Sequence, residues 1–257
     1  MTPELRALTP GSRPTAPRHD GPVERGAQYS RVTWGLLLVG ALLRVAYLLD
    51  YSALPFIEGP LGDSVVYLHQ AERIRAGDHG DTSLLAMSPG YGYVLAVLGD
   101  QTWWLVFLQA FGGLATGWGL SQIARRLGGP VAGVGALVLF LGYGLIPFYE
   151  SKILSESLGL ALAASVVGLS VHRSFIDGRL TWAVGTGALL ALAILVRAHL
   201  LFVAPILVLA SALPWDHESS RARWQRTVGL AIGLGAVLLV RGTFAWATSG
   251  GFVLVLY

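Results

Sequence analysis

The sequence predicts an all-α polytopic membrane protein. The expected architecture is a helical bundle of about seven transmembrane helices, with two amphipathic interfacial helices in its first outer loop. Three observations predict it. Only 13% of the residues are charged and 54% are hydrophobic, against roughly 25% charged in a soluble domain, and the mean hydropathy is +0.60. Apolar runs long enough to cross a bilayer recur along the chain, separated by short polar turns. Basic residues collect in alternate turns, as the positive-inside rule requires of a polytopic protein. There is no cysteine, which excludes a disulfide, a thiolate metal site and a cysteine nucleophile. Lys152 is the one lysine among 18 basic residues.

Residues 1–31 are rich in Pro, Gly and Arg without apolar periodicity and read as a disordered, uncleaved cytoplasmic tail. The first span is expected over 32–55, interrupted by Arg44. Residues 56–100 form a polar interval in an otherwise apolar chain. It holds Glu58, Asp63, Glu72, Asp78, Asp81, Asp100, His69 and His79. Within it, 64–76 and 91–98 read as interfacial helices joined by a turn at Ser88-Pro89-Gly90-Tyr91. Asp63 is placed to cap the first of them, with Glu72, Arg75, His69 and Arg73 on its solvated side. The second span, 102–123, opens on Trp103 and Trp104, an interfacial belt. A basic turn at 125–130 leads to the third span, 131–148, and a polar turn at 149–152 to the fourth, 153–171. The apolar run 180–213 is too long for one span and is broken at Arg197, giving spans at 180–196 and 200–213. The seventh begins at 227. The chain stops in mid-pattern at Tyr257, so 32–257 is expected to be the N-terminal part of a longer transmembrane domain.

Counting Arg in the tail, 124–130, 172–179 and 214–226 puts these segments in the cytoplasm. Asp63, Glu150, Glu156, Arg197 and Arg241 then fall at or near the outer face. Several of them invite chemistry. Glu156 lies at the outer end of an apolar helix, where an ionisable residue is costly; it either pairs with Lys152 four residues earlier or serves a function. Lys152 is suited to hold a phosphate as a point charge. Arg197 either snorkels to the interface or contacts an anionic headgroup. Arg44 requires a partner or a polar cavity. Gly113 and Gly117 read as close helix packing. There is no Walker loop, HExxH, G-x-S-x-G or dinucleotide fingerprint, nothing calls for nucleic acid, and no feature demands a metal.

One order of motifs is informative. LLRVAYLL (42–49) is followed by GDSVVYLHQAERIRAGD (62–78), SPGYGYVL (88–95), IARRLGG (123–129), SKILSESL (151–158) and LAILVRAHLL (192–201). This series resembles the GT-C membrane glycosyltransferases. It is most similar to bacterial members of the dolichyl-phosphate-mannose-protein mannosyltransferase and aminoarabinose-transferase kind, over about 32–257. The resemblance implies a multi-pass enzyme of the bacterial cytoplasmic membrane, N-terminus inside and active site outside. Its activity would be transfer of a sugar from a polyprenyl-phosphate carrier to a glycan, lipid or protein acceptor. It implies Asp63 as general base and Glu156 as the second acidic position. Lys152 and Arg197 are implied around the carrier phosphate, and Tyr67, Tyr91 and Glu150 join them as candidate substrate contacts. The lipid-linked sugar is the substrate, and no cofactor is called for. Two departures stand out: Asp63-Ser64 where many members carry Asp-Glu, and Met87-Ser88-Pro89-Gly90 where many carry a basic residue before Pro-Pro-Tyr. The competing expectation is a transporter or lipid flippase whose pathway is lined by Arg44, Glu156 and Arg197.

Overall fold

The computed structural model describes residues 22–52, 62–79, 87–99, 102–214 and 219–249, and within these the chain is helical without a strand. Glu58, Asp81 and Asp100 lie outside the described residues. Ten α-helices follow in order: α1 (Pro22–Ser52), α2 (Asp63–Arg75), α3 (Pro89–Leu98), α4 (Thr102–Leu141), α5 (Leu145–Glu150), α6 (Glu156–Ser170), α7 (Arg173–Ile176), α8 (Leu180–Val196), α9 (Val203–Ala212) and α10 (Ser220–Ser249), with a 3₁₀ turn at Ala198–Phe202 before α9. Among the described residues, three stretches have the length and composition to cross a membrane: Ala27–Asp50, Trp103–Leu141 and Ser220–Thr248. The helices α6, α8 and the 198–212 segment are apolar but shorter.

α1 begins at Pro22, so the helix reaches back into the segment read as tail. Proline is at home in the first helical turn, where its missing N–H has no acceptor to lose. Tyr29, Thr33, Leu37, Gly40 and Arg44 form one buried stripe on α1, at the three- and four-residue spacing of a helix face. Trp34, Leu38, Leu42 and Leu49 point away from the bundle and stay more than half exposed. In water such a face would be an association liability; against acyl chains it is ordinary.

α4 is two limbs, not one rod. Gly129 has φ 81° and Pro130 follows it. Only glycine takes that φ freely, and proline withholds the N–H a continuing helix needs. The second limb returns alongside the first: Ser121 Oγ donates to the Gly133 carbonyl at 2.8 Å, and Gly117 faces Phe140. The expected turn at 125–130 is therefore present. The expected third span is shorter than 131–148, because the helix ends at Leu141 and α5 restarts only at Leu145. Likewise the fourth helix begins at Glu156, three residues after the expected start.

α8 spans the expected 180–196 without change. It lies against α10 at backbone distance, since a Cβ on Gly187 would strike the Leu230 carbonyl and one on Gly233 the Val184 carbonyl. Small residues permit this approach, which maximises dispersion contacts where lipid offers no hydrophobic gain. Arg226, counted above among loop arginines, is fully buried. Its guanidinium donates to the carbonyls of Ser211 (2.8 Å), Leu213 (2.9 Å) and Ile176 (3.1 Å). It thus satisfies acceptors that the end of α9 leaves without helical donors. The same end of the bundle holds Tyr29 under Arg125, 4.8 Å from guanidinium carbon to ring centroid, and Arg126 donating to the Val171 carbonyl.

Candidate active site

The opposite end is built from α2, α3, the start of α6 and the Arg197 break. Helices are observed at both segments expected to be interfacial, within two residues of the expected bounds. Asp63 is not the cap: Gly62 is, with φ 59°, and Asp63 is the first helical residue and exposed. The positive φ explains the shift, because glycine takes it without strain. A carboxylate in the first turn still sits favourably on the helix dipole. His69, Glu72 and Arg75 are exposed as expected, and Arg73 pairs with Asp78 at 2.8 Å. α2 packs on α3 through Tyr67, Ala71, Tyr91 and Leu95, joined by Leu105 of α4. The Tyr67 and Tyr91 rings meet edge to face at 4.7 Å.

These two tyrosines point their hydroxyls at the turn between α5 and α6. Tyr67 Oη donates to Ser155 Oγ at 3.0 Å, and Ser155 is the residue immediately before Glu156 at the head of α6. Tyr91 Oη donates to Gln109 Oε1 at 3.3 Å. Gln109 in turn donates to the carbonyls of Glu150 (2.9 Å) and Lys152 (2.8 Å). One amide from the interior of α4 therefore fixes the path of the whole turn. Burial pushes the Tyr67 hydroxyl up; the hydrogen bond to Ser155 opposes this, and among the smaller influences Glu156 and Asp63 raise it while Arg197 lowers it. Tyr91 is pushed up as well, first by burial and then by Tyr67 and Glu156. Both hydroxyls stay protonated at neutral pH, so they act as hydrogen-bond donors and not as bases.

Glu156 meets Arg197, with Nη1 3.2 Å from Oε1. This replaces the expected pairing with Lys152. That pairing assumed helical spacing, but residues 152–155 precede the helix, so the two side chains do not share a helix face. Lys152 instead places Nζ 5.3 Å from the Phe148 ring centroid. The second Glu156 oxygen, Oε2, is buried and has no hydrogen-bond donor. Arg197 also donates from Nε to His199 Nε2 at 3.1 Å, and its aliphatic stem crosses Gly159 of α6.

The Ser88–Tyr91 turn braces the break at Arg197. Arg197 leaves α8 with extended backbone, φ −140° and ψ 100°. The next amide, that of Ala198, is received by Ser88 Oγ at 2.8 Å, and Gly90 lies directly on the Leu195 carbonyl. The turn holds open the break that carries Arg197. Ser88→Ala would leave the buried Ala198 N–H without an acceptor, a loss of about 1–3 kcal/mol. A clear drop in thermal midpoint of the detergent-solubilised protein is expected, and Ser88→Thr should recover part of it.

Glu150, grouped above with the substrate contacts, is removed from them. It is buried, and its two oxygens accept from Arg44 Nε at 2.7 Å and Nη2 at 2.9 Å. Gly113 makes room for the pair: a Cβ there would overlap the Glu150 carboxylate. The Gly113–Gly117 motif thus seats an ion pair at one glycine and a helix limb at the other. It also supplies Arg44 with the partner its burial demanded.

Asp63, Tyr67, Tyr91, Ser155, Glu156 and Arg197 are therefore neighbours, while Glu150 faces the interior. Sequence reading missed Ser155 and Gln109. A lone amide in an apolar helix was the available signal for Gln109; Ser155 carried none beyond its place beside Glu156. Among the described residues no three His, Asp or Glu side chains group to hold a metal ion. Comparison with protein-family models, curated proteins and solved structures gives no match to this chain.

Proposed function

We propose that the chain is the catalytic membrane part of a GT-C-like glycosyltransferase with about seven spans. It would transfer a sugar from a polyprenyl-phosphate carrier to an acceptor at the outer face of a bacterial cytoplasmic membrane. One observation carries the reading: Arg197 meets Glu156 at 3.2 Å beside Ser155, which receives the Tyr67 hydroxyl, and Asp63 lies one turn before Tyr67 on α2. Two carboxylates and an arginine beside donor hydroxyls, at the end of an apolar bundle, suit a reaction between a phosphate-linked sugar and a hydroxyl.

In this reading the acceptor hydroxyl gives its proton to the Asp63 carboxylate as its oxygen bonds to the anomeric carbon. The bond from that carbon to the carrier phosphate breaks, and its electron pair leaves on the phosphate. A single displacement inverts the anomeric configuration and needs no second nucleophile. Arg197 faces the departing phosphate and stabilises its charge. Glu156 Oε1 orients Arg197, and Oε2 offers the acceptor site that a sugar hydroxyl would fill. Exposure of Asp63 leaves it accessible to a substrate arriving from water or from the membrane surface.

The test is reconstitution of the full chain in proteoliposomes with labelled polyprenyl-phosphate sugars and a panel of glycan, lipid and peptide acceptors. Label recovered on an acceptor supports the transferase. Label carried into the vesicle lumen still attached to its carrier supports the flippase reading instead. That second reading is weakened by Arg44, whose guanidinium is closed off by Glu150 and offers no pathway contact.

A further inference from the structure

Arg44, Arg197, Arg226 and Arg241 lie within or against the apolar helices, and the first three have evident partners. Arg44 meets Glu150, Arg197 meets Glu156, and Arg226 meets three carbonyls. Arg241 differs. It sits inside the apolar stretch Ser220–Thr248 of α10, between Val240 at 69% exposure and Phe244 at 39%. Its Nε is buried with no acceptor, and among the described residues no carboxylate pairs with it. A guanidinium at that depth is costly without a counter-charge. The acid nearest along the chain to the neighbouring His79 is Asp78, which is already held by Arg73.

What surrounds Arg241 is a set of donors. Tyr93 of α3 lies on the side of the bundle that carries Arg241, linked to it through His79 and Phe244, the residue one turn after Arg241 on α10. His79 stacks on the Tyr93 ring at 6.1 Å and 13°, with Nδ1 3.5 Å from Tyr93 Oη. Phe244, one turn beyond Arg241, meets His79 edge-on at 5.3 Å. Thr248 Oγ1 approaches the His79 carbonyl at 3.5 Å. Tyr93 and Tyr91 are two residues apart on one helix, so they project to nearly opposite sides of it. α3 therefore separates this cluster from the Tyr67 site.

We propose that Arg241, Tyr93 and His79 form a second binding site, for a phosphate group, on the far side of α3 from the Tyr67 cluster. The arginine supplies a forked cation, and the hydroxyl and imidazole supply further donors. A phosphate, with three or four acceptor oxygens, satisfies this set more fully than a two-oxygen carboxylate. The site does not depend on the transferase reading: Arg197 and Asp63 take no part in it.

The experiment uses the detergent-solubilised full chain and three probes: phosphatidic acid in mixed micelles, phosphatidylcholine in the same micelles, and inorganic phosphate. Binding is read by ligand titration and by the shift in thermal midpoint. Arg241→Gln is expected to weaken phosphatidic acid binding at least tenfold, and Tyr93→Phe several-fold, while Arg173→Gln, at an exposed position on α7, leaves it unchanged. Preference for phosphatidic acid over inorganic phosphate identifies a lipid headgroup as the ligand, and equal binding identifies free phosphate; either supports the site. Binding unaltered by Arg241→Gln overturns it, as does binding abolished by Arg173→Gln alone. Should Arg241→Gln fail to fold, Tyr93→Phe and Arg241→Lys carry the test, and unchanged affinity in Tyr93→Phe overturns the site.

Discussion

Asp63→Asn is expected to fold, insert and bind the carrier while losing transfer by about 10²–10⁴-fold, the contribution of a positioned general base. The side chain is exposed on the first turn of α2, so an amide of the same shape disturbs no described packing. What changes is the ability to accept a proton. The loss should appear in kcat with little change in KM, because the interaction removed is made only as the acceptor oxygen attacks. Asp63→Glu moves the carboxylate by one methylene and should retain part of the rate. Transfer at the parental rate by Asp63→Asn would reject Asp63 as the base and shift attention to Glu156. Thermal midpoint and detergent extraction, measured alongside, separate lost chemistry from lost fold.

The largest effect on stability is expected at Arg44 and Glu150. Both side chains are nearly inaccessible, at 4% and 3% exposure, and they meet through two hydrogen bonds. Removing one partner strands a buried charge, at a cost of about 3–5 kcal/mol. Arg44→Met and Glu150→Leu should each lower the thermal midpoint sharply. The double variant should be more stable than either single, since two apolar groups leave no charge unpaired. Gly113→Val is expected to mimic the singles, because its side chain would occupy the space of the Glu150 carboxylate. If the double variant is no better than the worse single, the pair contributes through packing and not through charge. Loss of transfer in a well-folded double variant would give Arg44 a part in the site, which its enclosure argues against.

The helices were largely legible in the sequence. The bounds of α8, the two short helices α2 and α3, and the reversals at Gly129-Pro130 and Arg197 all follow from apolar period, glycine, proline and a charge within an apolar run. These are local properties, and a helix in an apolar setting must satisfy its own backbone bonds wherever it lies. Errors concentrated where two local signals compete. The 131–148 run looks continuous by hydropathy, but Gly142, Gly144 and Pro147 weaken it, and the chain breaks after Leu141. At Asp63 a good capping residue lost its place to a glycine that takes positive φ.

Charge partners were not legible in the same way. Lys152 and Glu156 are four apart and invited pairing, yet Glu156 turned to Arg197 on another element. Arg44 found Glu150 across 106 positions. By itself the sequence determined which segments are helical, where they turn, and which residues are costly to bury. Only the tertiary structure decided which costly residue meets which: Glu150 inward to Arg44, Arg197 to Glu156 beside Tyr67, and Arg241 to no carboxylate among the described residues. The reason is that helix formation is settled by neighbours within a few residues, whereas compensation of a buried charge depends on packing between helices distant along the chain.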